Sequence, residues 1–598
     1  MLLQHLFWDI YRTRRLIFVL SLQFSAIAIV FAPSPLHGSV ILTRQVSNIW
    51  RYYLGAVSSE NRGFMATATL QKTLGAFYTA DPVARFLVHW AIRTADDTVL
   101  DPSCGDGVFL LAAAAHIRDL GNSRPQIWGV DVDPEALHSS RLRSPESHLL
   151  EENFFSVRPT DIGPVDAIVG NPPFIRYQTF NGKQRVDALK CALDAGVELP
   201  KLCSSWAPFI VHAATFLRQG GRLGMVAPAE LIHAQYAREV LRFLLRQFGR
   251  ITVRMFQKKM FQDLSEDTIL LLCENFGAPC GWFSIEPATC IEDARSNENH
   301  GIPVDIDAIR CGRHRLTRYL LPAKARHLYE GMSSEKCVVR LGEAADVGIG
   351  YVTGCNSYFH LTTDEAKVWR VHSRYLAPAV LSLKDFHGAI FRHSDWEQLS
   401  ASGRKTQLLR IPALKAEGLP TGLAEYIAHG KKRRVAEHFK CRVRNPWYAV
   451  PHVRVGDAFL SYMSGSSPKL VRNGSGFVAP NTLHIVRFAS DRPWKPFVAG
   501  WHSSLTKLSC EIEGHALGGG MLKLEPSEAE RVLVALPYPK DTNDLVTELD
   551  GLLRGGNFPA AQDLADTSVL RRRLGLSKSE CMVLRDAAAQ LENWRMHK

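Results

Sequence analysis

The sequence predicts an α/β protein in which a doubly wound, parallel sheet is followed by a second, mixed α/β region. Short apolar runs at 98–100, 127–130 and 167–169 alternate with segments of helical periodicity, a pattern typical of strand-helix-strand units. A glycine-rich turn follows the first run, and a polar residue comes after each of them: Asp101, Asp131 and Asn171. Because parallel strands present their carboxyl ends at one edge of a sheet, these residues predict a binding site there.

The remaining elements continue this alternation. Apolar residues recur at helical spacing over 82–92, and the glycine turn opens a helix over 108–115. Farther along, the sequence predicts a helix over 206–217, a turn at Gly220–Gly221, a strand over 223–226, a helix over 236–248 and a strand over 268–273. Past Phe276 the runs become short and rich in Gly, Pro, Trp and Tyr, which predicts a domain boundary near 275–340.

The chain of 598 residues is basic, with a formal net charge of +12. This charge favours a polyanionic partner, although it would suit a membrane surface equally well. Between Arg404 and Arg444, eleven Lys or Arg residues accompany only three Glu residues. Four of these cations are consecutive: Lys431, Lys432, Arg433 and Arg434. A solvated helical face is the alternative interpretation of such a run.

The twelve cysteines include no Cys-x-x-Cys pair and predict a reducing compartment without a disulfide framework. Cys311 with His314, and His438 with Cys441, have a spacing that metal ligands use. The two pairs lie far apart in the chain, and we expect no metal site.

The segment 101–107, Asp-Pro-Ser-Cys-Gly-Asp-Gly, is suited to holding a small charged cofactor between a strand and a helix. Gly105 and Gly107 allow the backbone to approach that ligand closely. Asp131, which ends the next strand, can accept hydrogen bonds from both hydroxyls of a ribose. Asp133 is the competing candidate, but the following Pro134 makes it the more natural start of a helix.

Asn171-Pro172-Pro173-Phe174 is the most specific motif in the sequence. The lone pair of an aromatic amine is delocalised into its ring, so catalysis has to localise it on nitrogen. The Asn171 side-chain oxygen and the Pro172 carbonyl could each accept one N–H of such an amine. Pro172 and Pro173 fix the backbone, and Phe174 could stack on the ring. A proline turn with a core phenylalanine is the structural alternative. Together with the glycine turn, the motif indicates amino-methyl transfer from S-adenosylmethionine.

With these motifs, the chain resembles the gamma-class, TaqI-type DNA adenine-N6 methyltransferases of bacterial restriction-modification systems. The resemblance is carried by Gly75 to Thr79, by Asp101 to Leu110 and by Ile127 to Pro134, in that order and ahead of Asn171-Pro172-Pro173-Phe174. It implies a class I S-adenosylmethionine-dependent methyltransferase domain and then a mixed α/β target-recognition domain. Segments 348–356, 445–448 and 518–520 are similar to the recognition half, with Lys431 to Arg434 contacting phosphates.

The resemblance also assigns individual cofactor contacts. Tyr78 and Thr79 would touch the methionine part of the cofactor, and Phe109 its adenine side. Where the family has Asp-Phe after the third strand, this chain has Asn153-Phe154, and the asparagine carbonyl can still accept a hydrogen bond from the adenine amino group. The remaining expected cofactor residues are Asp101, Ser103, Gly105, Gly107 and Asp131.

A further family position is the aromatic residue that stacks on the opposite face of the extruded base. Phe261 matches it best and Phe256 is the rival; either could instead be a core residue.

The first residues differ from this pattern. Arg12, Arg14 and Arg15 precede an apolar run over 16–32, which is similar to a signal peptide or a marginal membrane span. Because the cofactor and the reduced thiols are cytosolic, we expect 1–64 to be a non-native extension ahead of a start at Met65, with a membrane anchor as the alternative. The expected divisions are then a catalytic domain over 65–275, a linker over 276–340, a recognition domain over 341–558 and a helical tail over 559–598.

The sequence therefore predicts a cytoplasmic, monomeric enzyme that methylates adenine N6 in double-stranded DNA after flipping the base. An RNA adenine-N6 or guanine-N2 methyltransferase and a non-catalytic DNA-binding modification subunit are the alternatives. We expect no obligate membrane partner. No nuclease motif is recognisable, so any restriction endonuclease partner would be separately encoded.

Overall fold

The computed structural model describes residues 18–22, 25–29, 79–234, 236–256, 268–291, 301–310, 315–413, 418–517 and 519–596. They belong to two compact units, Met1–Lys72 and Thr73–Lys598. In the first unit, Phe18–Leu22 and Ser25–Ile29 pair as antiparallel strands. Among the described residues, no helix has the length and apolarity needed to cross a bilayer.

The second unit contains a sheet of nine described strands. In chain order they are β1 (Val99–Asp101), β2 (Ile127–Asp131), β3 (His148–Glu151), β4 (Val165–Gly170), β5 (Leu217–Pro228), β6 (Phe248–Phe256), β7 (Thr268–Phe276), β8 (Trp282–Ala288) and β9 (Ile302–Pro303). Their spatial order is β3-β2-β1-β4-β5-β7-β6-β8-β9. Strands β1 to β5 are mutually parallel, whereas β7 runs antiparallel between β5 and β6. The strand order reverses between β1 and β4, where a doubly wound sheet binds its ligands.

Helices cover the sheet and confirm the predicted α/β class. They are α1 (Asp81–Ala91), α2 (Val108–Asp119), α3 (Pro134–Arg143), α4 (Pro159–Ile162), α5 (Gly182–Asp194), α6 (Trp206–Ala214), α7 (Glu230–His233) and α8 (Ala237–Gln247). Helix α1 shows the underlying pattern, because Val83, Leu87 and Val88 are spaced to share one face and all three are buried. Helix α6 is buried along its whole length, as its almost uniformly apolar sequence requires.

Two predicted features differ from the structure. Gly220–Gly221 is not a turn between elements but lies inside β5, where the pairing with β4 shifts register between Val165 and Ala167. The positive φ of Gly220 accommodates this irregularity. In addition, β8 and β9 extend the catalytic sheet into 276–340, the segment predicted as a linker.

The region after the sheet is mixed α/β, as expected. Helices Ile306–Arg310 and Ala323–Met332 lead into it. Its largest sheet has the spatial order Ala345–Ile349, Leu483–Phe488, Ala458–Ser461, Leu470–Asn473 and Ile390–Phe391. Smaller sheets join His360–Leu361 with Gln407–Leu409 and Leu376–Pro378, Met463–Ser464 with Met521–Lys523 and His515–Leu517, and Val338–Arg340 with Leu533–Ala535.

Helices surround these sheets. They are Asn356–Phe359, Thr363–Val368, His393–Ala401, Thr421–Lys432, Phe439–Arg442, Trp494–Gly500, Ser504–Glu513, Pro526–Ala529, Thr542–Arg554, Phe558–Ala565 and Lys578–Met596. The buried ion pair between Arg315 and Glu528, with 2.6 Å between Nη2 and Oε1, ties the segment after the sheet to this region. Because Thr73–Lys598 is one unit, the boundaries between the predicted domains stay a prediction.

Candidate active site

The glycine turn, the Asn-Pro-Pro-Phe loop and Thr79 meet at the carboxyl edge of the sheet. The Ser103 hydroxyl donates a hydrogen bond to the backbone oxygen of Asn171, at 3.1 Å. The Asn171 side-chain Nδ2 donates to Thr79 Oγ1, at 3.3 Å. The chain separations are 68 and 92 residues, so the parallel order of β1 and β4 is what brings these groups together.

Asp101 ends β1 and is fully buried. Its Oδ1 accepts a hydrogen bond from the Ser103 backbone N–H at 3.1 Å, while no described residue forms a hydrogen bond with its Oδ2. Burial raises the pKa of Asp101 well above its usual range, and the Asp131 and Asp106 carboxylates act in the same direction. A buried acceptor of this kind fits a ligand that brings a cation or a hydrogen-bond donor to this edge.

The glycine turn is open on the side where a cofactor would lie. Gly105 has a positive φ, and a Cβ added there would meet nothing within 4 Å. Gly107 also has a positive φ, but a Cβ there would come within 2.9 Å of Ser140 Oγ. Ser140 in turn donates a hydrogen bond to the Gly105 carbonyl at 2.6 Å. Gly107 is therefore required for packing, and Gly105 leaves space for a ligand.

Asp131 ends β2 and holds the glycine turn from the other side. Its Oδ2 accepts a hydrogen bond from the Gly105 N–H at 2.8 Å, and its Oδ1 accepts one from the Asp133 N–H at 3.0 Å. Burial raises the pKa of Asp131. Asp133 instead caps α3, because its Oδ1 accepts from the Glu135 N–H at 2.9 Å. The two carboxylates thus have different structural roles, as Pro134 indicated.

The Asn-Pro-Pro-Phe loop is fixed by Ser205, which the sequence analysis did not identify. The Ser205 hydroxyl donates to the Pro173 carbonyl and accepts from the Ile175 N–H at 2.8 Å. The Ser205 N–H donates to the Ile175 carbonyl at 3.0 Å. Within the loop Asn171 and Pro173 are half-buried, whereas Pro172 and Phe174 are buried. The loop is therefore held through its backbone by the residue that precedes α6.

A second polar group that the sequence did not indicate lies just beyond Ser205. Trp206 Nε1 donates to the Glu230 carboxylate at 3.1 Å, and the Tyr236 hydroxyl donates to the same oxygen at 2.5 Å. Burial and the adjacent Glu230 carboxylate raise the pKa of Tyr236. Glu230 follows the carboxyl end of β5, so this group is on the same edge of the sheet as the site.

Three predicted cofactor residues have contacts within the protein itself, and their contact with the cofactor stays a prediction. Phe109 and Phe154 are 2% and 4% exposed and belong to the hydrophobic core. Phe154 packs against Phe209 and Phe216. Asn153 accepts a hydrogen bond from the Phe155 N–H at 3.1 Å and caps a short 3₁₀ helix. Its predicted adenine contact would have to use its remaining hydrogen-bonding capacity.

The structure describes neither the tyrosine predicted to contact the cofactor nor the phenylalanine predicted to stack on the substrate base. Tyr78 and Phe261 lie outside the described residues. Phe256, the rival of Phe261, ends β6 and is only 3% exposed. Its burial favours the core interpretation for this residue.

The predicted phosphate-binding cluster follows a helix in the second region. Lys431 and Lys432 end the helix Thr421–Lys432, and the side chains of all four cations are exposed. Arg434 pairs with Glu437, with 2.8 Å between Nη2 and Oε2. The pKa of Arg434 is raised by the hydrogen bond to Glu437, and that of Glu437 is lowered by the same bond. Arg434 is therefore partly neutralised within the chain, unlike a cation dedicated to phosphate.

Comparisons with known proteins agree with this site. The family model described as N-6 DNA Methylase matches residues 64–275, and the model of the C-terminal domain of the type II methyltransferase M.Eco57I matches residues 313–570. The chain is 21% identical to the type II methyltransferase M.AccI of Acinetobacter calcoaceticus over 502 residues, covering 81% of this chain and 88% of that protein. It is 23% identical to M.XamI of Xanthomonas campestris pv. amaranthicola over 522 residues, covering 83% and 92%.

A solved structure supports the same fold. The type IIL restriction-modification enzyme MmeI, solved in complex with DNA, aligns with a TM-score of 0.51 and 12% identity, covering 83% of this chain and 73% of that one. The described residues thus share the fold of this restriction-modification enzyme. The catalytic motif lies inside the matched range 64–275 and the second matched model follows it, so residues 64–275 form a domain of the N-6 DNA methylase family.

Proposed function

We propose that this protein transfers a methyl group from S-adenosylmethionine to the N6 amino group of adenine in double-stranded DNA, as the modification enzyme of a restriction-modification system. The observation that carries the proposal is the Asn171 loop at the end of β4, joined by Ser103 to the glycine turn at the end of β1. Substrate amine and cofactor would therefore meet between two adjacent strands.

The cofactor would be held by Thr79, Asp101, Gly105 and Asp131. The open space beside Gly105 and the buried Oδ2 of Asp101 fit a ligand that brings an amino acid group to this edge. Asp131 can still accept from hydroxyl groups, since each carboxylate oxygen can accept more than one hydrogen bond. When bound, S-adenosylmethionine supplies the methyl group.

Asn171 and Pro172 would activate the target amine. In this structure Asn171 Nδ2 donates to Thr79 Oγ1, which assigns Oδ1 as the accepting end of the carboxamide. Oδ1 then accepts one N–H of the amine and the Pro172 carbonyl accepts the other, which localises the lone pair on nitrogen. Ser205 keeps the loop in place. The proton is lost after nitrogen has gained the methyl group, so no strong base is required beforehand.

DNA would be bound across this edge by the second region. Asn171 is half-buried, so an adenine inside a duplex cannot reach it without leaving the base stack. The exposed Lys431, Lys432 and Arg433 would contact phosphates, and sequence would be read by other groups. We further propose that the enzyme acts as a monomer in the cytoplasm and that a restriction endonuclease partner is separately encoded.

Asn171→Ala tests the mechanism. We expect methyl transfer to fall by on the order of 10² or more, the effect of removing a preorganised hydrogen-bonding group, with S-adenosylhomocysteine binding nearly unchanged. Asp131→Ala is the matched contrast, in which cofactor affinity falls first. Normal turnover of Asn171→Ala would refute the role of the loop.

The substrate class needs a separate measurement. The full chain is incubated with labelled S-adenosylmethionine and either genomic DNA or total RNA, and the nucleosides are identified by mass spectrometry. We expect N6-methyldeoxyadenosine from DNA. Methylated RNA nucleosides alone would favour the RNA methyltransferase, and binding of DNA without any methylated product would favour a non-catalytic subunit.

A further inference from the structure

A large cavity in the second region is not explained by methyl transfer. It has a volume of about 550 Å³ and is lined by segments that include 386–388, 466–469, 501–502 and 558–562. This volume is within the range of pockets that hold small organic ligands, roughly 300–1,000 Å³. In the part of the chain that the structure describes, it is bounded by the helices Ser504–Glu513, Thr542–Arg554, Phe558–Ala565 and Lys578–Met596.

The charged residues that line the cavity are all basic. Lys469, Lys507 and Arg585 contribute to its wall, and none of the described lining residues is Asp or Glu. Lys507 is neutralised by Glu592, at 2.9 Å, and Arg585 by Asp566, also at 2.9 Å. Among these three cations, only Lys469 has no carboxylate partner in the described part of the chain.

The ammonium group of Lys469 contacts a neutral hydrogen-bond acceptor instead of a counter-ion. Its Nζ donates to the Phe386 carbonyl at 2.9 Å, and within the described residues it forms no ion pair. Burial lowers its pKa. A partly buried ammonium without a counter-ion is costly, and an anion placed in the cavity would offset that cost.

His502 adds an orientable polar group to the same wall. No hydrogen-bond partner for its Nε2 is found among the described residues, although this atom is shielded from solvent. Burial lowers the pKa of His502 to about 4, so the ring is neutral at physiological pH. The neutral imidazole can offer one donor or one acceptor to a ligand beside the Lys469 ammonium.

Three aromatic residues also line the cavity: Phe386, Trp501 and Phe558. Phe386 and Trp501 are buried, whereas Phe558 is 55% exposed and marks an accessible part of the cavity. Aromatic faces stack with nucleobases, and cationic groups bind phosphate. We propose that this cavity is a nucleotide-binding site, with the base against the aromatic residues and the phosphate near Lys469.

The source of the nucleotide can be a free nucleoside monophosphate or one unit of a DNA strand, since both have the same chemistry. The test uses the full chain saturated with S-adenosylhomocysteine, so that the cofactor site does not contribute. Guanosine 5′-monophosphate, guanosine and inorganic phosphate are titrated by calorimetry, with and without saturating duplex DNA. We expect binding of the monophosphate. Its loss when DNA is present identifies DNA as the natural source, and its persistence identifies the free nucleotide.

Lys469→Met should weaken binding of the monophosphate by about tenfold or more, the effect of losing one charge-assisted contact, and should leave guanosine binding unchanged. Lys495→Met is the matched control, since it removes the same charge at a residue that does not line the cavity. Phe558→Ala removes an exposed ring without disturbing the core and should weaken binding of both the nucleotide and the nucleoside.

Two results would overturn the proposal. One is the absence of calorimetric binding of the monophosphate to the wild-type chain. The other is unchanged affinity in both Lys469→Met and Phe558→Ala. Because Phe558 is exposed, the second variant keeps the test decisive if Lys469→Met fails to fold.

Discussion

Ser205→Ala tests whether the catalytic loop is held by a residue outside its motif. The change removes the hydroxyl that joins the Pro173 carbonyl and the Ile175 N–H, at a position that is 1% exposed. Each buried backbone group left unpaired costs about 1–3 kcal/mol, so the two together cost roughly 2–6 kcal/mol before relaxation. The loop can recover part of this energy only by moving. If about 1.4 kcal/mol of it reaches the activation barrier, kcat falls tenfold.

Ser509→Ala is the matched control for this experiment. Ser509 is fully buried, accepts a hydrogen bond from the Leu533 N–H at 2.8 Å and bonds the Tyr329 hydroxyl at 2.9 Å, away from the loop. Both variants should lower the free energy of unfolding in urea. Only Ser205→Ala should lower single-turnover methyl transfer with S-adenosylhomocysteine affinity retained. Full activity of Ser205→Ala, or an equal loss of activity in both variants, would refute the reasoning.

Three other perturbations follow from the structure. Because burial raises the pKa of Asp101, a cofactor that brings a cation to this carboxylate should bind more tightly as pH rises towards that pKa. Titration of Asp101→Asn with S-adenosylhomocysteine should show no such pH dependence. If the variant keeps the pH dependence, another group causes it. Replacing Lys431 and Lys432 by alanine should weaken DNA binding at every sequence alike and reduce the slope of log binding constant against log salt concentration by about 0.9 for each lost phosphate contact. Arg434→Ala should change this slope less. An unchanged slope in the double variant would mean that the cluster is a solvated face. Burial lowers the pKa of His360 to about 4 from 6.5, so the stability that this neutral ring contributes is complete above pH 6.5 and is lost as pH falls through 4. In His360→Gln, the free energy of unfolding in urea should depend less on pH between these values. An unaltered pH dependence would contradict this pKa.

Strands β1, β2 and β4 could be predicted because each is a short apolar run with a polar end. β1, β2 and β4 are mostly buried and were located to within two residues at each end. The apolar pattern did not locate β3, which only the family resemblance implied before Asn153, since His148–Glu151 is a half-exposed edge strand without a continuous apolar run. β8 was missed for a related reason: Trp282–Ala288 ends in partly exposed residues and follows the change in composition at Phe276. Edge strands depend on their neighbours more than on their own sequence.

The structural role of a site residue could be predicted only where it depends on residues close to it in the chain. The roles of Asp131 and Asp133 could be separated, because capping is a local interaction signalled by Pro134. Ser205 could not be identified, since it contacts a loop 32 residues away and nothing in its neighbourhood marks it. Phe109 and Phe154 were assigned to the cofactor by position in a motif; both are buried in the hydrophobic core, and their contact with the cofactor stays a prediction.

The hydrogen bonds at the sheet edge link the cofactor turn to the substrate loop more directly than the separate motifs suggest. Ser103 belongs to the glycine turn and yet donates to the backbone of Asn171, whereas Thr79, expected to touch the cofactor, accepts from the Asn171 side chain. A ligand that shifts either residue would therefore alter the orientation of the Asn171 carboxamide. Since amine activation depends on that orientation, loss of Thr79 should impair methyl transfer beyond any weakening of cofactor affinity.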